Sequence, residues 1–274
     1  MYKPFLCTMM FIIVVVLTGC ADISLTKRNE TADNLALKHG WQNSTLQTAF
    51  FSHRTYFPKS THGDHLTVYI EGDGLAWISR NKPSSNPTPI NPLALKLALS
   101  DGTNNVAYLA RPCQYVNSNQ CEQRYWTSAR FAEEVIASTD EALSQLKKQT
   151  GAQELMLIGY SGGGAVAALV AARRDDVVKL VTVAGNLDHK AWSDLHNISA
   201  LTDSLNAADE WQNLADISQT HFVGAQDKIV PLAVAQSYQR RFTTGYKPEV
   251  KVIEATDHHC CWLELWPELL ESKY

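Results

Sequence analysis

The chain has 274 residues, of which 45% are hydrophobic and 19% are charged, so it is long enough to bury one substantial core. Its formal net charge of -4 comes from 28 acidic and 24 basic residues that form no long block of one sign. This pattern excludes the basic surface typical of nucleic-acid partners and of polybasic membrane contacts, and the composition excludes a disordered chain.

The N-terminus has the features of a targeting segment. Lys3 supplies a positive start, and Met9 to Leu17 form an apolar run that is too short to span a bilayer. The run ends in Leu17-Thr18-Gly19-Cys20, which resembles the bacterial lipobox. This resemblance implies that residues 1–19 are a signal peptide and that Cys20 carries acyl chains, enough for stable membrane attachment. The other interpretation is a simple signal peptide or short anchor that happens to end at a cysteine.

The residues after Cys20 suggest where the protein resides. Ala21 stands where aspartate would resemble an inner-membrane retention signal, so the sequence favours the outer membrane of a bacterial envelope. Residues 20–44 are polar and mixed, and they are predicted to form a tether. The rest of the chain, 45–274, is predicted to form one domain.

After the tether, strands and helices are predicted to alternate. Apolar and β-prone runs predict strands within 45–57 and at 66–70, 105–110, 154–158, 178–184, 220–224 and 250–253. Periodic or alanine-rich runs predict helices at 93–99, 128–148, 164–174 and 232–241, with a closing helix that ends near residue 270. This alternation indicates a mostly parallel sheet with helices on both faces. Residues 185–218 interrupt it and are predicted to form a small lid or connector.

A glycine-flanked serine lies at the centre of this pattern. Gly159-Tyr160-Ser161-Gly162-Gly163 joins the strand at 154–158 to the alanine-rich helix, which is the context in which G-x-S-x-G forms a nucleophile elbow. The pentapeptide alone is equally compatible with a glycine-rich turn. Nucleophilic acyl transfer also needs a base, a carboxylate that orients the base, and donors for an oxyanion.

Candidates for these partners follow other predicted strands. Asp227 follows the next-to-last strand and His258 follows the last one, and in parallel sheets both places lie at the edge where sites form. The order Ser161, Asp227, His258, together with the acid loop Gly224–Pro231, resembles the α/β-hydrolase superfamily over nearly the whole predicted mature chain. The resemblance implies an α/β-hydrolase fold with Ser161 as nucleophile, His258 as base and Asp227 as the orienting acid.

Two of these roles have alternatives. Asp188 follows the preceding strand, where some members of the superfamily place the acid, and Asp227 would then only cap a turn. His259 adjoins His258, and only one of the two can easily face Ser161. His258 is preferred because its surroundings resemble the closing motif of the superfamily.

The oxyanion donors are predicted to be main-chain amides. Gly162 follows the nucleophile, and by position the second donor is Asp73, in the loop after the strand at 66–70. Superfamily members often have His-Gly-x there, whereas this chain has Glu71-Gly72-Asp73-Gly74. Two carboxylates beside an oxyanion would oppose its charge, so their side chains are expected to point away.

The cysteines are read as those of an exported protein. Cys113 and Cys121 share one polar loop and form the natural disulfide pair. The adjacent Cys260 and Cys261 form either a vicinal disulfide or two free thiols. The run His258-His259-Cys260-Cys261 is not predicted to bind a metal, because four consecutive side chains cannot converge tetrahedrally. No motif for a cofactor is present.

These features together predict a lipid-anchored serine hydrolase that cleaves a small-molecule or lipid ester through an acyl-enzyme. Two other functions are compatible with the same fold. One is an acyltransferase that uses the same three residues, and the other is a non-catalytic envelope protein that keeps the fold for binding.

Overall fold

The computed structural model describes residues 19–61, 63–103 and 105–271. The predicted signal peptide lies outside these residues apart from Gly19, and the side chain of Cys20 is also outside them. Cleavage, lipid attachment and outer-membrane location therefore stay predictions. Among the described residues, no helix combines the length and the apolar character that crossing a membrane requires.

A central sheet of eight strands forms the middle layer. Its strands are β1 (Trp41–Gln47), β2 (Ser52–Pro58), β3 (His65–Ile70), β6 (Val106–Leu109), β7 (Glu154–Tyr160), β8 (Val177–Val183), β9 (Ser218–Gly224) and β10 (Glu249–Ile253). Their spatial order is β1-β2-β6-β3-β7-β8-β9-β10, and β4 (Trp77–Ser79) pairs with β5 (Lys82–Pro83) in a separate small hairpin. Strands β3 and β6 to β10 are parallel, whereas β1 and β2 form an antiparallel edge.

The register of the parallel strands brings their carboxyl ends to one edge of the sheet. On β7, Gly159 lies opposite Ile70 of β3 and opposite Thr182 of β8. The loops after these strands therefore begin side by side, at the edge where sites form in α/β sheets. The predicted parallel sheet is confirmed, and every predicted strand has a counterpart in the structure.

Helices cover both faces of the sheet. They are α1 (Gly19–Lys38), α2 (Leu93–Leu99), α3 (Glu133–Thr150), α4 (Gly162–Ala171), α5 (His189–His196), α6 (Leu232–Gln239) and α7 (Trp262–Glu271). One core cluster joins Leu157 to the buried faces of α3 and α4, and the other joins Ile158 to α2 and α7. Alternate β7 residues thus face opposite layers, as the two-residue period of a strand requires. Helix α3 begins five residues later than predicted.

The segment predicted as a tether differs from the expectation. Residues 20–44 contain most of α1 and the start of β1, and Ala32 and Ala36 of α1 are completely buried. The Arg28 guanidinium donates to the Thr88 carbonyl at 2.5 Å. The helix was missed because its contact with the domain uses small alanines and polar side chains, which give no strong apolar stripe.

The predicted lid or connector at 185–218 is only partly a surface feature. It contains α5 and a short 3₁₀ turn at Ala207–Glu210. Leu201, Ala207 and Leu214 are buried in the same core cluster as α4. These positions therefore close the core, whereas the longest exposed stretch of the segment follows α5 at residues 197–200.

Both pairs of cysteines form disulfides. Cys113 is joined to Cys121, as the spacing predicts. Cys260 is joined to Cys261, which is one of the two states that the sequence left open. The first bridge shapes the loop after β6, and the second follows directly on the two candidate histidines.

Candidate active site

Ser161 occupies a sharp turn between β7 and α4. Its φ of 52° and ψ of -122° are unusual for a residue with a side chain, as expected at a nucleophile elbow. A Cβ on Gly159 would lie 2.4 Å from the carbonyl oxygen of Gly163, and a Cβ on Gly163 would lie 2.4 Å from the Ile70 carbonyl oxygen. Both positions therefore need glycine, because the strand, the turn and the helix pass too close for any side chain.

The structure brings Ser161, His258 and Asp227 together. His258 Nε2 lies 3.0 Å from Ser161 Oγ, and His258 Nδ1 lies 2.8 Å from Asp227 Oδ2. The other carboxylate oxygen, Oδ1, accepts from the amides of Ile229 and Val230, each at 2.8 Å. Asp227 is thus fixed by the backbone of its own loop while it holds the imidazole. This arrangement lets the histidine accept the serine proton from one nitrogen and share its other N–H with a buried carboxylate.

The two alternative residues lie elsewhere. His259 is exposed, and its Nδ1 lies 2.9 Å from the hydroxyl of Tyr160. Burial of part of its ring, and then the neighbouring His258, lower the pKa of His259. Asp188 is buried and accepts from Asn206 at 3.1 Å and from Ser237 at 2.7 Å. Among the contacts of the described residues, neither alternative bonds to Ser161 and Asp188 does not bond to His258.

The glycine loop after β3 packs directly against the elbow. A Cβ on Gly72 would lie 3.2 Å from Ser161 Cβ, and a Cβ on Gly162 would lie 2.1 Å from Asp73 Oδ1. Ser161 occupies the N-cap position of α4, but its side chain makes no capping hydrogen bond. Within the described part of the chain, the amides of Gly162 and Asp73 donate to no backbone group outside helices and strands. The loop that carries Asp73 therefore touches the elbow, and neither predicted oxyanion donor is used in these backbone hydrogen bonds of the described residues.

The Asp73 carboxylate does not point away from the site, contrary to expectation. It lies against Gly162, where Arg111 reaches Oδ1 at 3.2 Å and Arg130 reaches Oδ2 at 2.5 Å. Burial raises the pKa of Asp73, but the two guanidiniums outweigh it and the resulting pKa is below the usual value. The cluster therefore carries two positive charges against one negative charge, which favours rather than opposes an oxyanion.

The Glu71 carboxyl is held in another way. It is buried and accepts from the amides of Gly72 and Ala94 and from the hydroxyl of Tyr108. Ala94 lies in the first turn of α2, so the carboxyl is directed to the positive end of that helix. Burial raises the pKa of Glu71 to about 7, against smaller opposing contributions from these hydrogen bonds.

Sequence reasoning missed the residues that hold the glycine loop. Arg111, Gln114 and Arg130 come from the loop region between β6 and α3, and Gln114 Nε2 donates to the Gly72 carbonyl at 2.9 Å. The Arg111 guanidinium also donates to the Arg130 carbonyl. The one available signal was Arg111 itself, an arginine that follows the apolar strand β6 after a single alanine.

A cavity of about 580 Å³ opens at the serine. Its lining includes Ser161 and His258 on one hand and Asp73 and Arg130 on the other. Most of its other residues are apolar: Leu75, Ala76, Trp77, Pro89, Ile90, Tyr160, Trp192, Ile229 and Val230. Asn186 also lines it, and its buried Oδ1 has no partner among the described residues. In the described residues, no group of three or more His, Cys, Asp or Glu side chains is arranged to hold a metal.

Comparisons with solved structures identify the fold. An α/β serine hydrolase homologue from Coxiella burnetii is 15% identical over 85% of this chain and 95% of its own, with a TM-score of 0.57. An esterase from Pyrococcus furiosus is 12% identical over 85% and 89%, with a TM-score of 0.60. A Xanthomonas campestris serine hydrolase described as lacking a lid is 13% identical over 85% and 93%, with a TM-score of 0.53.

No protein-family model matches the sequence, and no curated protein matches it. At identities this low, the likeness to solved structures establishes the fold and leaves the activity to be argued from the site. The chain therefore has the α/β-hydrolase fold, as the sequence predicted.

Proposed function

We propose that this protein is a serine hydrolase that cleaves a carboxylic ester through an acyl-enzyme. The observation that carries the proposal is the position of His258, whose two ring nitrogens lie within hydrogen-bond distance of Ser161 and of Asp227. A buried carboxylate, an imidazole and a strained serine in this order are the groups that nucleophilic acyl transfer needs.

In the first step, Ser161 Oγ attacks the ester carbonyl while His258 Nε2 takes the serine proton. Asp227 keeps the Nδ1 proton on the side away from the serine and stabilises the imidazolium that forms. His258 then gives its proton to the leaving alkoxide, which departs as an alcohol. The acyl group is left on Ser161.

In the second step, water replaces the alcohol. His258 takes a proton from the water as its oxygen attacks the acyl carbonyl, and the proton returns to Ser161 as the carboxylic acid leaves. The amides of Gly162 and Asp73 are the proposed donors to the oxyanion in both steps. Arg111 and Arg130 support this role, because they hold the Asp73 side chain and add positive charge nearby.

The proposed substrate class is an ester with an apolar acyl or alcohol part. The apolar walls of the cavity favour such a group, and the one buried side-chain acceptor there without a described partner is Asn186 Oδ1. The proposed location is the bacterial envelope, with the outer membrane favoured, through lipid on Cys20. This part of the proposal rests on the lipobox-like sequence alone.

Pre-steady-state hydrolysis of p-nitrophenyl butyrate tests the proposal. We expect p-nitrophenol to be released in a burst equal to the enzyme concentration, followed by slower turnover, because the acyl-enzyme forms before water cleaves it. Ser161→Ala should show neither phase. Turnover by Ser161→Ala equal to that of the unaltered protein would refute the proposal. Transfer of the butyryl group to an added alcohol, in preference to water, would instead support the acyltransferase.

A further inference from the structure

Several large apolar side chains are exposed around the mouth of the cavity. Trp77 and Ile78 of the β4–β5 hairpin are 41% and 58% exposed, and Ile90 is 65% exposed. Ile229, across the mouth, is 44% exposed. Trp77, Ile90 and Ile229 all line the same cavity, so these side chains surround one opening rather than being scattered singly over the surface.

The end of α5 extends this apolar rim. Trp192 lines the cavity and donates from its indole N–H to the Ile229 carbonyl at 2.6 Å. Leu195, one turn further along α5 on the same side, is 53% exposed, and Ile198 just after the helix is 39% exposed. We name the set of Trp77, Ile78, Ile90, Leu195, Ile198 and Ile229 the mouth rim.

Basic side chains accompany the rim. All residues from 77 to 82 are exposed, and this hairpin carries Arg80 and Lys82 beside its two apolar side chains. Lys228, also exposed, precedes Ile229. The one exposed acidic residue next to a rim residue in sequence is Asp194. Apolar side chains interspersed with cations, on a protein whose net charge is negative, are the combination that an anionic lipid surface attracts.

Helix α1, which contains the predicted lipidation site near its start, is held beside the loop that carries Ile90. Arg28 donates to the carbonyls of Asn86 and Thr88, at 3.3 and 2.5 Å, in the loop that carries Ile90. The next residue, Asn29, donates to the Tyr115 carbonyl at 3.2 Å. A helix rises about 1.5 Å per residue, so Cys20 lies about 12 Å along α1 from this attachment.

We infer that the mouth rim is a membrane-docking surface, and that α1 orients it toward the bilayer to which Cys20 is attached. This inference rests on the proposed function and makes its substrate specific: an ester of a membrane lipid, whose acyl chain passes from the bilayer into the cavity. A flexible tether would leave the domain free to tumble, whereas a helix held by Arg28 fixes which face meets the lipid.

The test uses the full chain reconstituted in vesicles of phosphatidylethanolamine and phosphatidylglycerol. The rim variant Ile78→Ser/Leu195→Ser/Ile198→Ser changes only rim residues that do not line the cavity. The matched control Val178→Ser/Tyr246→Ser removes exposed apolar side chains near the starts of β8 and β10, at the opposite edge of the sheet. Each protein is assayed on a fluorogenic ester lipid in the bilayer and on p-nitrophenyl acetate in solution.

We expect the rim variant to hydrolyse the bilayer ester about tenfold more slowly and the soluble ester at the original rate. The control should match the unaltered protein on both substrates. Equal bilayer rates for rim variant and control would overturn the inference. Hydrolysis of the soluble ester without any hydrolysis of the bilayer ester would also overturn it, and would leave the proposed function standing. If the unaltered protein hydrolysed neither the bilayer ester nor the soluble ester, the result would instead count against the proposed function.

A second measurement does not depend on the triple variant folding. Phosphatidylcholine brominated along its acyl chains quenches tryptophans that enter the bilayer, and Trp77 is the exposed rim tryptophan. We expect a quenched fraction in the unaltered protein that is lost in Trp77→Phe and reduced in Ile78→Ser. Quenching that is absent, or that is the same in all three proteins, would contradict docking through this face.

Discussion

The side of the site that carries His258 and Asp227 is held by short hydrogen bonds between residues at neighbouring strand ends. The side that carries Gly72 and Asp73 is held by buried ion pairs from a distant loop. We call the first the base side and the second the oxyanion side. On the base side, the Asp227 carboxylate is fixed by hydrogen bonds from two amides of its own loop. On the oxyanion side, Asp73 needs Arg111 and Arg130, both almost completely buried.

The difference shows which interactions are replaceable. A hydrogen bond to a charged group such as the Asp227 carboxylate contributes about 1.5–3 kcal/mol, whereas removing one partner of a buried ion pair costs about 3–5 kcal/mol when it leaves an uncompensated charge. We therefore expect substitutions on the base side to remove activity while the fold persists. Substitutions on the oxyanion side should affect activity and stability together.

The largest effect should come from the base itself. His258→Ala removes the proton acceptor, and we expect kcat to fall by about 10⁴-fold or more. His259→Ala should keep activity within about tenfold, because its ring bonds to Tyr160 and not to Ser161. Steady-state rates on a p-nitrophenyl ester measure both. The reverse ranking would assign the base to His259.

The orienting acid should come next. Asp227→Asn keeps the side-chain shape but favours the wrong histidine tautomer, so kcat should fall by about 10³- to 10⁴-fold at little cost in stability. The control Asp188→Asn replaces one of the two acceptors that bond Asn206 and Ser237 by a donor, so it should lower the melting temperature and leave the rate of the folded enzyme nearly unchanged. A large loss of rate in the control alone would move the acid to Asp188.

On the oxyanion side, Arg130→Met should lower kcat by about 10²-fold with little change in KM, because the Asp73 main chain loses a support. In Arg130→Met the Asp73 carboxylate still pairs with Arg111, whereas the double variant Asp73→Asn/Arg130→Met leaves the buried Arg111 without a counter-charge, so it should be less stable than Arg130→Met alone. Arg173→Met, which removes an exposed ion pair with Glu133, is the control and should change neither quantity. Strict additivity in thermal stability would mean that Asp73 and Arg130 are not coupled.

Glu71 should make stability depend on pH. Its folded-state pKa of about 7 lies above the ordinary value of 4.5, so the folded protein binds the proton more tightly than the unfolded chain. Its contribution is therefore complete below pH 4.5 and is lost as the pH rises through 7, by at most about 3 kcal/mol. Glu71→Gln should lack this decline.

Urea unfolding of the unaltered protein and of Glu71→Gln at pH 5 and pH 8 measures the effect. Burial also lowers the pKa of His53 to about 4 and of His221 to about 3. Their contributions change with pH in the opposite direction, but they are the same in both proteins and cancel in the difference. If the free energy of unfolding changed equally with pH in both proteins, the Glu71 carboxyl would be solvated and its pKa would not be raised by burial.

The smallest effect concerns the loop that supplies Arg111 and Gln114. Cys113 lies between these two residues and is bonded to Cys121 further along the loop. Removing this disulfide in Cys113→Ser/Cys121→Ser should lower the free energy of unfolding by about 2 kcal/mol. The rate should fall less than in Arg130→Met, since the arginines remain. A larger loss of rate than in Arg130→Met would mean that the disulfide, and not the ion pairs, holds the glycine loop.

The base side could be predicted because its residues follow parallel strands. Ser161, Asp227 and His258 each come within five residues of the end of a strand, and parallel strands bring such residues to one edge. Of the two histidines, His258 is the one that lies within hydrogen-bond distance of Ser161 in the described residues. Which of two adjacent histidines faces the serine depends on the local backbone conformation of the loop. The spacing of apolar residues in the sequence carries no information about it.

The oxyanion side and α1 were beyond sequence reasoning for a different reason. Arg111 and Arg130 meet Asp73 across separations at which only the folded chain brings side chains together. Helix α1 packs through Ala32, Ala36 and Arg28, residue types that are as common on surfaces as in contacts. Polar cross-links and small-residue packing leave no periodic apolar signal.

The central claim is that Ser161 is a nucleophile activated by His258. The most direct measurement is labelling of the purified full chain with a fluorophosphonate, followed by mass-spectrometric mapping of the modified residue. We predict one phosphonylated site, Ser161, with labelling abolished in Ser161→Ala and slowed by orders of magnitude in His258→Ala. Folded protein that stays unlabelled, or Ser161→Ala labelled as fast as the unaltered chain, would contradict it.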